Sequence, residues 1–282
     1  MLFSRLSPLC RHVTAALLAI IAASLFTACA GPRWSEMEPQ EEAEVLAVVK
    51  ELQKERGECP DSLDADVSIY WKTPLSSSAV NGYLQLRSPS HVKLIVNSPL
   101  GMVLYAFASD GSNFEILNIA QRRHIRGNLR TLAIRKELPV VLAQDDWFAT
   151  LSGSLPETPL TINTIKRDSG DRTVWLEVDK GEDNRTADRK WIHLDINQKK
   201  LLGYLFLDSD GAVLADISYD EKSDAQKRRK SCLASNRTIL ITGLPWGTEI
   251  RIELQDIRTD TPLEEDDFSL PVPENYFRQL MP

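Results

Sequence analysis

Through most of the chain apolar and polar residues alternate in short runs, the two-residue period of a half-buried strand rather than the three-to-four spacing of a helix. In the first half these runs are Val67–Trp71, Val80–Arg87, His91–Asn97, Met102–Ser109 and Phe114–Ile119, all rich in β-branched and aromatic residues. His91–Asn97 alternates cleanly, with Val92, Leu94 and Val96 on one side. Met102–Ser109 is apolar on both faces: Val103, Tyr105 and Phe107 against Met102, Leu104 and Ala106. The pattern resumes with Thr173–Asp179, Lys190–Ile196, Lys200–Leu207, Gly211–Tyr219, Thr238–Thr242 and Thr248–Asp256. Asp110-Gly111 and Asp208-Ser209-Asp210-Gly211 are hairpin signals, and the charged tips Lys180–Arg189 and Asp220–Ser231 read as solvated turns.

Two segments break this rhythm. Glu41–Arg56 carries Val45, Val48, Val49 and Leu52 at helical spacing, with acids in its first turn, basics near its end and Gly57 to stop it. One apolar stripe on a polar helix must pack against something larger. Leu138–Pro156 places Val140, Val141, Trp147, Phe148 and Leu151 around Asp145-Asp146, which predicts one or two short helices ending at Gly153. About eleven strands and few helices predict a mainly β (α+β) fold: a strongly curved antiparallel sheet, or half-open β-barrel, plugged by helices.

The first residues have a different logic. Arg5 and Arg11 precede an apolar run, Val13–Phe26, of fourteen residues, shorter than the roughly 20 needed to cross a bilayer. Leu25-Phe26-Thr27-Ala28-Cys29 then reads as a bacterial lipobox, with Phe26 where Leu is preferred. The expected product begins at an acylated Cys29, anchored to a membrane without spanning it. Residues 1–28 are then a signal peptide, 29–40 a polar tether and 41–282 a single domain. Ala30 in place of aspartate leans toward the outer membrane, at its periplasmic face.

Composition narrows the function. The chain has 33 basic and 40 acidic residues, and removing 1–28 takes two arginines and no acids, which disfavours nucleic acid as a partner. Of four cysteines, Cys59 and Cys232 would remain beside Cys29 in an oxidising compartment. They are a candidate disulfide whose long loop would stabilise by roughly 4–5 kcal/mol; two unrelated thiols are the alternative. His91, His124 and His193 have no metal-ligand spacing, and neither an HExxH motif nor a G-x-S-x-G elbow is present. Glu264-Glu265-Asp266-Asp267 lacks the spaced ligands of an EF-hand. The basic run Lys227–Lys230 reads as a solvated loop or a contact for lipid phosphates. No catalytic residue, metal or cofactor is expected, and the protein is expected to be a monomer without enzymatic activity.

Within Val80–Gly127 the order is a Gly-led strand, a strand ending in Asn97-Ser98-Pro99-Leu100-Gly101, a strongly apolar strand, an Asp-Gly turn and a strand of alternating character. With Trp147–Pro156, similar to a Trp-Leu-x-Gly-x-Pro segment, this resembles the LolA/LolB lipoprotein-localisation family, and in particular its LolB-like outer-membrane lipoproteins. The likeness covers about half of the mature chain; the second half agrees only in strand rhythm. It implies that Ser98, Pro99, Leu100 and Gly101 form a membrane-facing loop with Leu100 projecting outward. A Leu100 folded back over the barrel rim is the other reading of the same turn. It also implies an apolar cavity for acyl chains of lipoproteins or other lipids, handed over by a periplasmic LolA-like carrier. Candidate lining residues are Leu84, Leu86, Leu94, Val96, Val103, Tyr105, Phe107, Trp147, Phe148, Trp175 and Leu205, and a filled core would use the same set. The expected role is a lipid-anchored acceptor that passes acylated clients to the outer membrane; a non-transferring envelope scaffold with the same fold is the alternative.

Overall fold

Alternating apolar positions do become strands, and they join into one fifteen-stranded sheet. The computed structural model describes residues 34–168, 173–179, 188–220, 233, 236–260 and 262–281. The first half contributes β1 (Trp34–Ser35), β2 (Ser62–Lys72), β3 (Ser77–Arg87), β4 (His91–Asn97), β5 (Val103–Ser109), β6 (Asn113–Asn118) and β7 (Arg123–Asn128). The second contributes β8 (Ile162–Asp168), β9 (Thr173–Val178), β10 (Arg189–Asp195), β11 (Lys200–Leu207), β12 (Val213–Asp220), β13 (Arg237–Leu244), β14 (Thr248–Arg258) and β15 (Phe277–Met281). Among the described residues helices are few: α1 (Pro39–Gly57), α2 (Leu129–Arg135), α3 (Val140–Ala143) and α4 (Trp147–Ser152), besides short 3-10 turns.

Each half is an antiparallel meander, β2 to β7 and β8 to β14, and β14 pairs antiparallel with β2 to fuse them. The exception is β15, which returns to lie parallel to β7. The two ends, β1 and β15, do not pair with each other, so the sheet is not closed.

Curvature follows from contacts. Six strands separate β10 from β4, which in a flat sheet would put them about 34 Å apart. Yet Asp145, between α3 and α4, binds both sides: its carboxylate pairs with Lys190 on β10, and its carbonyl accepts from Ser90 Oγ, before β4, at 3.0 Å. The sheet therefore bends around the helices. Gly82 on β3 marks one close approach, since a Cβ there would sit 2.1 Å from the Ile95 carbonyl oxygen.

The main core fills this concave face. Val45 and Val49 of α1, and Phe148 and Leu151 of α4, join Leu63, Leu86, Leu176, Ile192, Phe206, Ile239 and Leu254 from the strands. Two clusters cover the convex face. Leu270, Val272 and Tyr276 of the C-terminal segment pack on Ile95, Ala106, Ala108 and Leu117. Trp34 packs on Trp191 (ring centroids 4.2 Å apart), beside Trp175, Leu205 and Leu207.

The structure has four strands that the pattern did not predict. β1 is two residues long, β7 (RHIRGN) and β8 (INTIKRD) are rich in charge, and β15 lies in a Pro-flanked tail. The segment expected to be a free tether is in part fixed, because Trp34 pairs with Asp168 and Pro39 opens α1; residues 29–33 lie outside the described residues. So do Cys29 and Cys232, whereas Cys59, just beyond α1, is disulfide-bonded. No helix among the described residues is long and apolar enough to cross a membrane.

Candidate functional site

Concave side chains on neighbouring strands change from sealed to open along the strand direction. On β2, Leu63, Ala65 and Val67 are buried, then Ile69 and Trp71 are half-buried. β3 runs from Leu86 and Leu84, both sealed, to half-buried Val80, and β4 from Val92 to Leu94 and Val96. On β5, Ser109 is buried, Phe107 half-buried, and Tyr105 and Val103 are 45% and 41% exposed. β13 and β14 repeat it, Ile239 and Leu254 being sealed and Ile241, Ile252 and Ile250 half-buried. Register makes these one surface: Ile241 opposes Ile250, Ile250 opposes Trp71, Ile69 opposes Val80, and Val96 opposes Tyr105. Six adjacent strands thus share an open apolar trough, about 24 Å across.

Polar groups pin the helices to the sheet. Tyr204 Oη donates to the Ser154 carbonyl at 2.6 Å and Tyr219 Oη to the Thr150 carbonyl at 2.7 Å. Burial raises both phenol pKa values well above their ordinary range. Asp146 caps α4 by accepting from the Ala149 N–H at 2.8 Å. Burial lifts its carboxyl to about 6, against the pull of that hydrogen bond, and the neighbouring Asp145 pushes the same way. The Lys190–Asp145 pair is 8% and 10% exposed, and Lys190 Nζ also lies 4.6 Å from the Tyr204 ring centre. Arg56 stacks over Phe148 at 4.6 Å and donates to the Cys59 and Pro60 carbonyls. A cavity of about 350 Å³ opens beside this cluster, between Val141, Asp145, Asp146, Thr158, Val178 and Lys190. Its walls are mixed polar and apolar, unlike the trough.

The Ser98–Gly101 turn stands at the trough's open rim. Gly101 N–H donates to the Ser98 carbonyl at 2.9 Å, and Gly101 takes φ +79°, which glycine adopts without a Cβ penalty. Pro99 adds no donor. Leu100 projects into solvent, 84% exposed, with Met102 61% exposed beside it.

The eleven lining candidates separate into three groups. Leu94, Val96, Val103, Tyr105 and Phe107 lie along the trough, whereas Leu84, Leu86 and Phe148 are sealed under the helices and Trp147 is half-buried against the same core. Trp175 and Leu205 lie on the opposite face with Trp34, and so do not line the hollow; Val174, Leu176, Tyr204 and Phe206 take the inward positions on those two strands. On β9 every residue but Glu177 is buried, and period-2 reasoning had nothing to choose a face by. Sequence reasoning missed Ile69, Trp71, Val80, Ile241, Ile250 and Ile252. Their alternation was visible, but which end of each strand the helices leave bare was not.

The histidines stand apart: His91 against Phe268, His124 beside Glu115, His193 stacked on Trp175. Among the described residues no group of three His, Cys, Asp or Glu side chains is arranged to hold a metal ion.

No protein-family model and no curated protein matches the sequence. Solved structures do match the curved sheet with its concave helices. A LolA superfamily protein from Nitrosomonas europaea superposes with TM-score 0.53 at 12% identity, over 78% of this chain and 97% of that one. The fold is LolA-like. A putative outer membrane lipoprotein-sorting protein domain from Vibrio parahaemolyticus gives TM-score 0.52 at 19% identity, covering 79% and 95%. A DUF1329 family protein from Desulfovibrio piger gives 0.52 at 12%, covering 81% and 96%. In this LolA-like fold the trough occupies the concave face, and it is where the helices leave apolar strand surface uncovered.

Proposed function

We propose that the protein is a lipid-anchored envelope acceptor, which takes acyl chains into the trough and passes them to the outer membrane. The observation that carries this reading is the run of half-buried aliphatic and aromatic side chains across six adjacent strands, open at the rim that bears Leu100. Exposed apolar surface of this extent on a concave face marks a binding site. Each methylene sheltered there contributes about 0.8 kcal/mol, so a long acyl chain binds by burial alone, without a specific polar partner. The likeness to the Vibrio lipoprotein-sorting domain supports acylated protein as the client class. Cys29, acylated by way of its lipobox, would hold the body at the membrane. A LolA-like soluble carrier is the proposed donor.

The test is direct. The mature protein, purified from envelopes and delipidated, is loaded with a fluorescent fatty acid and then mixed with acceptor vesicles. Saturable binding, weakened by Ile250→Glu with the fold intact, is expected. If binding is absent or indifferent to Ile250→Glu, the trough is not the site. A second reading, a scaffold without transfer, is favoured by one observation: much of the concavity is filled by Phe148, Leu151, Tyr204 and Phe206. Depletion that leaves lipoproteins normally distributed would select it.

A further inference from the structure

The turns at the two ends of the strands differ in character. At the Leu100 end, Leu75 in the β2–β3 turn is 98% exposed, Trp246 in the β13–β14 turn 77%, Phe277 at the start of β15 66%, and Val213 after the β11–β12 turn 45%. The turns at the other end, 88–90, 110–112 and 196–199, present none of the exposed large apolar side chains found among the described residues.

Trp246 is displayed by an unusual backbone. It holds φ +64° and ψ +20°, a region that bulky residues rarely adopt. Its indole N–H donates to Glu137 Oε2 at 3.1 Å, beyond α2, so the turn touches the tip of the helical plug. A Cβ on Gly247 would lie 3.6 Å from Pro74 Cγ, so the Trp246 and Leu75 turns are in contact. Strand order places that pair on β13–β14 and β2–β3, and Leu100 on β4–β5, along the same rim.

We infer that the Trp246 and Leu75 turns form a second bilayer-contacting lip, which with Leu100 seats the mouth of the trough on a phospholipid surface. The inference rests on the acyl-binding reading above. Three features select a bilayer over a protein partner. The apolar groups are single tips on separate turns, which a fluid acyl layer accepts, whereas a protein interface needs a contiguous desolvated centre. Tryptophan with its N–H held at the polar level is the residue of membrane interfaces. The trough is continuous with this rim, so an acyl chain can pass between them without crossing water. Anchoring sets a condition. Trp34 pairs with Asp168 at the opposite end of the strands, and residues 29–33 span at most about 18 Å, so the anchored body must lie along the surface.

The test uses the acylated mature protein in vesicles of phosphatidylethanolamine and phosphatidylglycerol, with or without bromine on the acyl chains. Six tryptophans emit, so Trp246 is read as wild type minus Trp246→Phe. We expect brominated lipid to quench that difference emission about twofold or more, and Leu75→Ser to reduce the quenching, with circular dichroism unchanged. Equal emission in both vesicles overturns the lip. So does a concentration-dependent dimer lost in Trp246→Glu, which would put a second copy on this rim. Fatty-acid binding measured in the same preparation separates the failures: binding retained without quenching sinks the lip alone, and binding lost with quenching intact sinks the acyl-binding reading.

Discussion

Ile239 and Ile241 sit two residues apart on β13 and face the same way, yet the first is sealed and the second half open. Leu254 and Ile250 on β14, and Val92 and Val96 on β4, repeat the contrast. Chemistry does not separate the members of each pair; what lies above them does. β2, β3 and β14 are eleven residues each, about 36 Å, whereas α2 and α4 span only about 10 Å. The longer α1 is turned toward the other half, pairing Arg167 with Glu41, Lys199 with Glu51 at 2.6 Å, and Gln53 with the Thr158 carbonyl at 3.0 Å. The strands outrun their cover. A site made by missing cover keeps the sheet's own residues as its wall, so stability and binding should separate along each strand.

The strongest way to break that picture is to unpin the plug. Lys190→Ala would leave the Asp145 carboxylate buried without its partner, which costs about 3–5 kcal/mol; Lys190→Met with Asp145→Leu should recover most of it. Urea unfolding reads both, and a single variant losing less than about 1 kcal/mol would mean that the pair does not hold the helices. Next is the β13 contrast itself. Ile239→Ala should cost about 3 kcal/mol, through transfer and cavity together, and Ile241→Ala about 1 kcal/mol. Fatty-acid affinity should order them the other way. Equal losses in both measurements would erase the distinction between sealed and open ends.

How much of this was legible depended on which physics wrote the signal. His91–Asn97 was read correctly to the residue, because Val92, Leu94 and Val96 alternate with polar or oppositely facing neighbours along it. The beginning of β2 was missed because Asp64 and Asp66 point outward between Leu63, Ala65 and Val67. β7 and β8 were missed because charged residues interrupt their apolar positions, and α2, seven residues under an Asn128 cap, was too short to show periodicity. The Ser98–Gly101 turn was legible from Pro and Gly alone. Trp175 and Leu205 were assigned to the wrong face because Trp34, far off in sequence, supplies a second apolar layer outside. The trough depends on where helices stop, a tertiary fact that no local pattern encodes.

Asp146 offers a pH-resolved probe of the helical plug. Its carboxyl titrates near 6 in the fold, above the ordinary unfolded value near 4, so between those pH values the folded chain binds the extra proton. That contribution is fully present below pH 4 and is lost as pH rises through 6; at pH 7 the ionised group costs about 3 kcal/mol. Asp146→Asn keeps an N-cap acceptor and removes the charge. It should match wild type near pH 4, exceed it by up to that amount at pH 7, and flatten the slope between, as followed by denaturant midpoints. An unchanged slope would mean that the helix relaxes to hydrate Asp146 and that the plug admits water.

The smallest expected change in stability belongs to the open end, and there it is the informative result. Leu100 is 84% exposed and makes its turn through backbone bonds of Ser98 and Gly101, none of which needs the side chain. Leu100→Glu should therefore shift unfolding by less than about 0.5 kcal/mol, as surface substitutions do. Fatty-acid loading should also hold, since the trough wall is untouched. Transfer to vesicles should fall, because a carboxylate at that tip resists entry into the acyl layer, where a leucine gains roughly 1.5–3 kcal/mol. A variant that binds, folds and still transfers at the wild-type rate would leave the rim without a role in delivery, and the open end would then be a pocket that merely holds lipid.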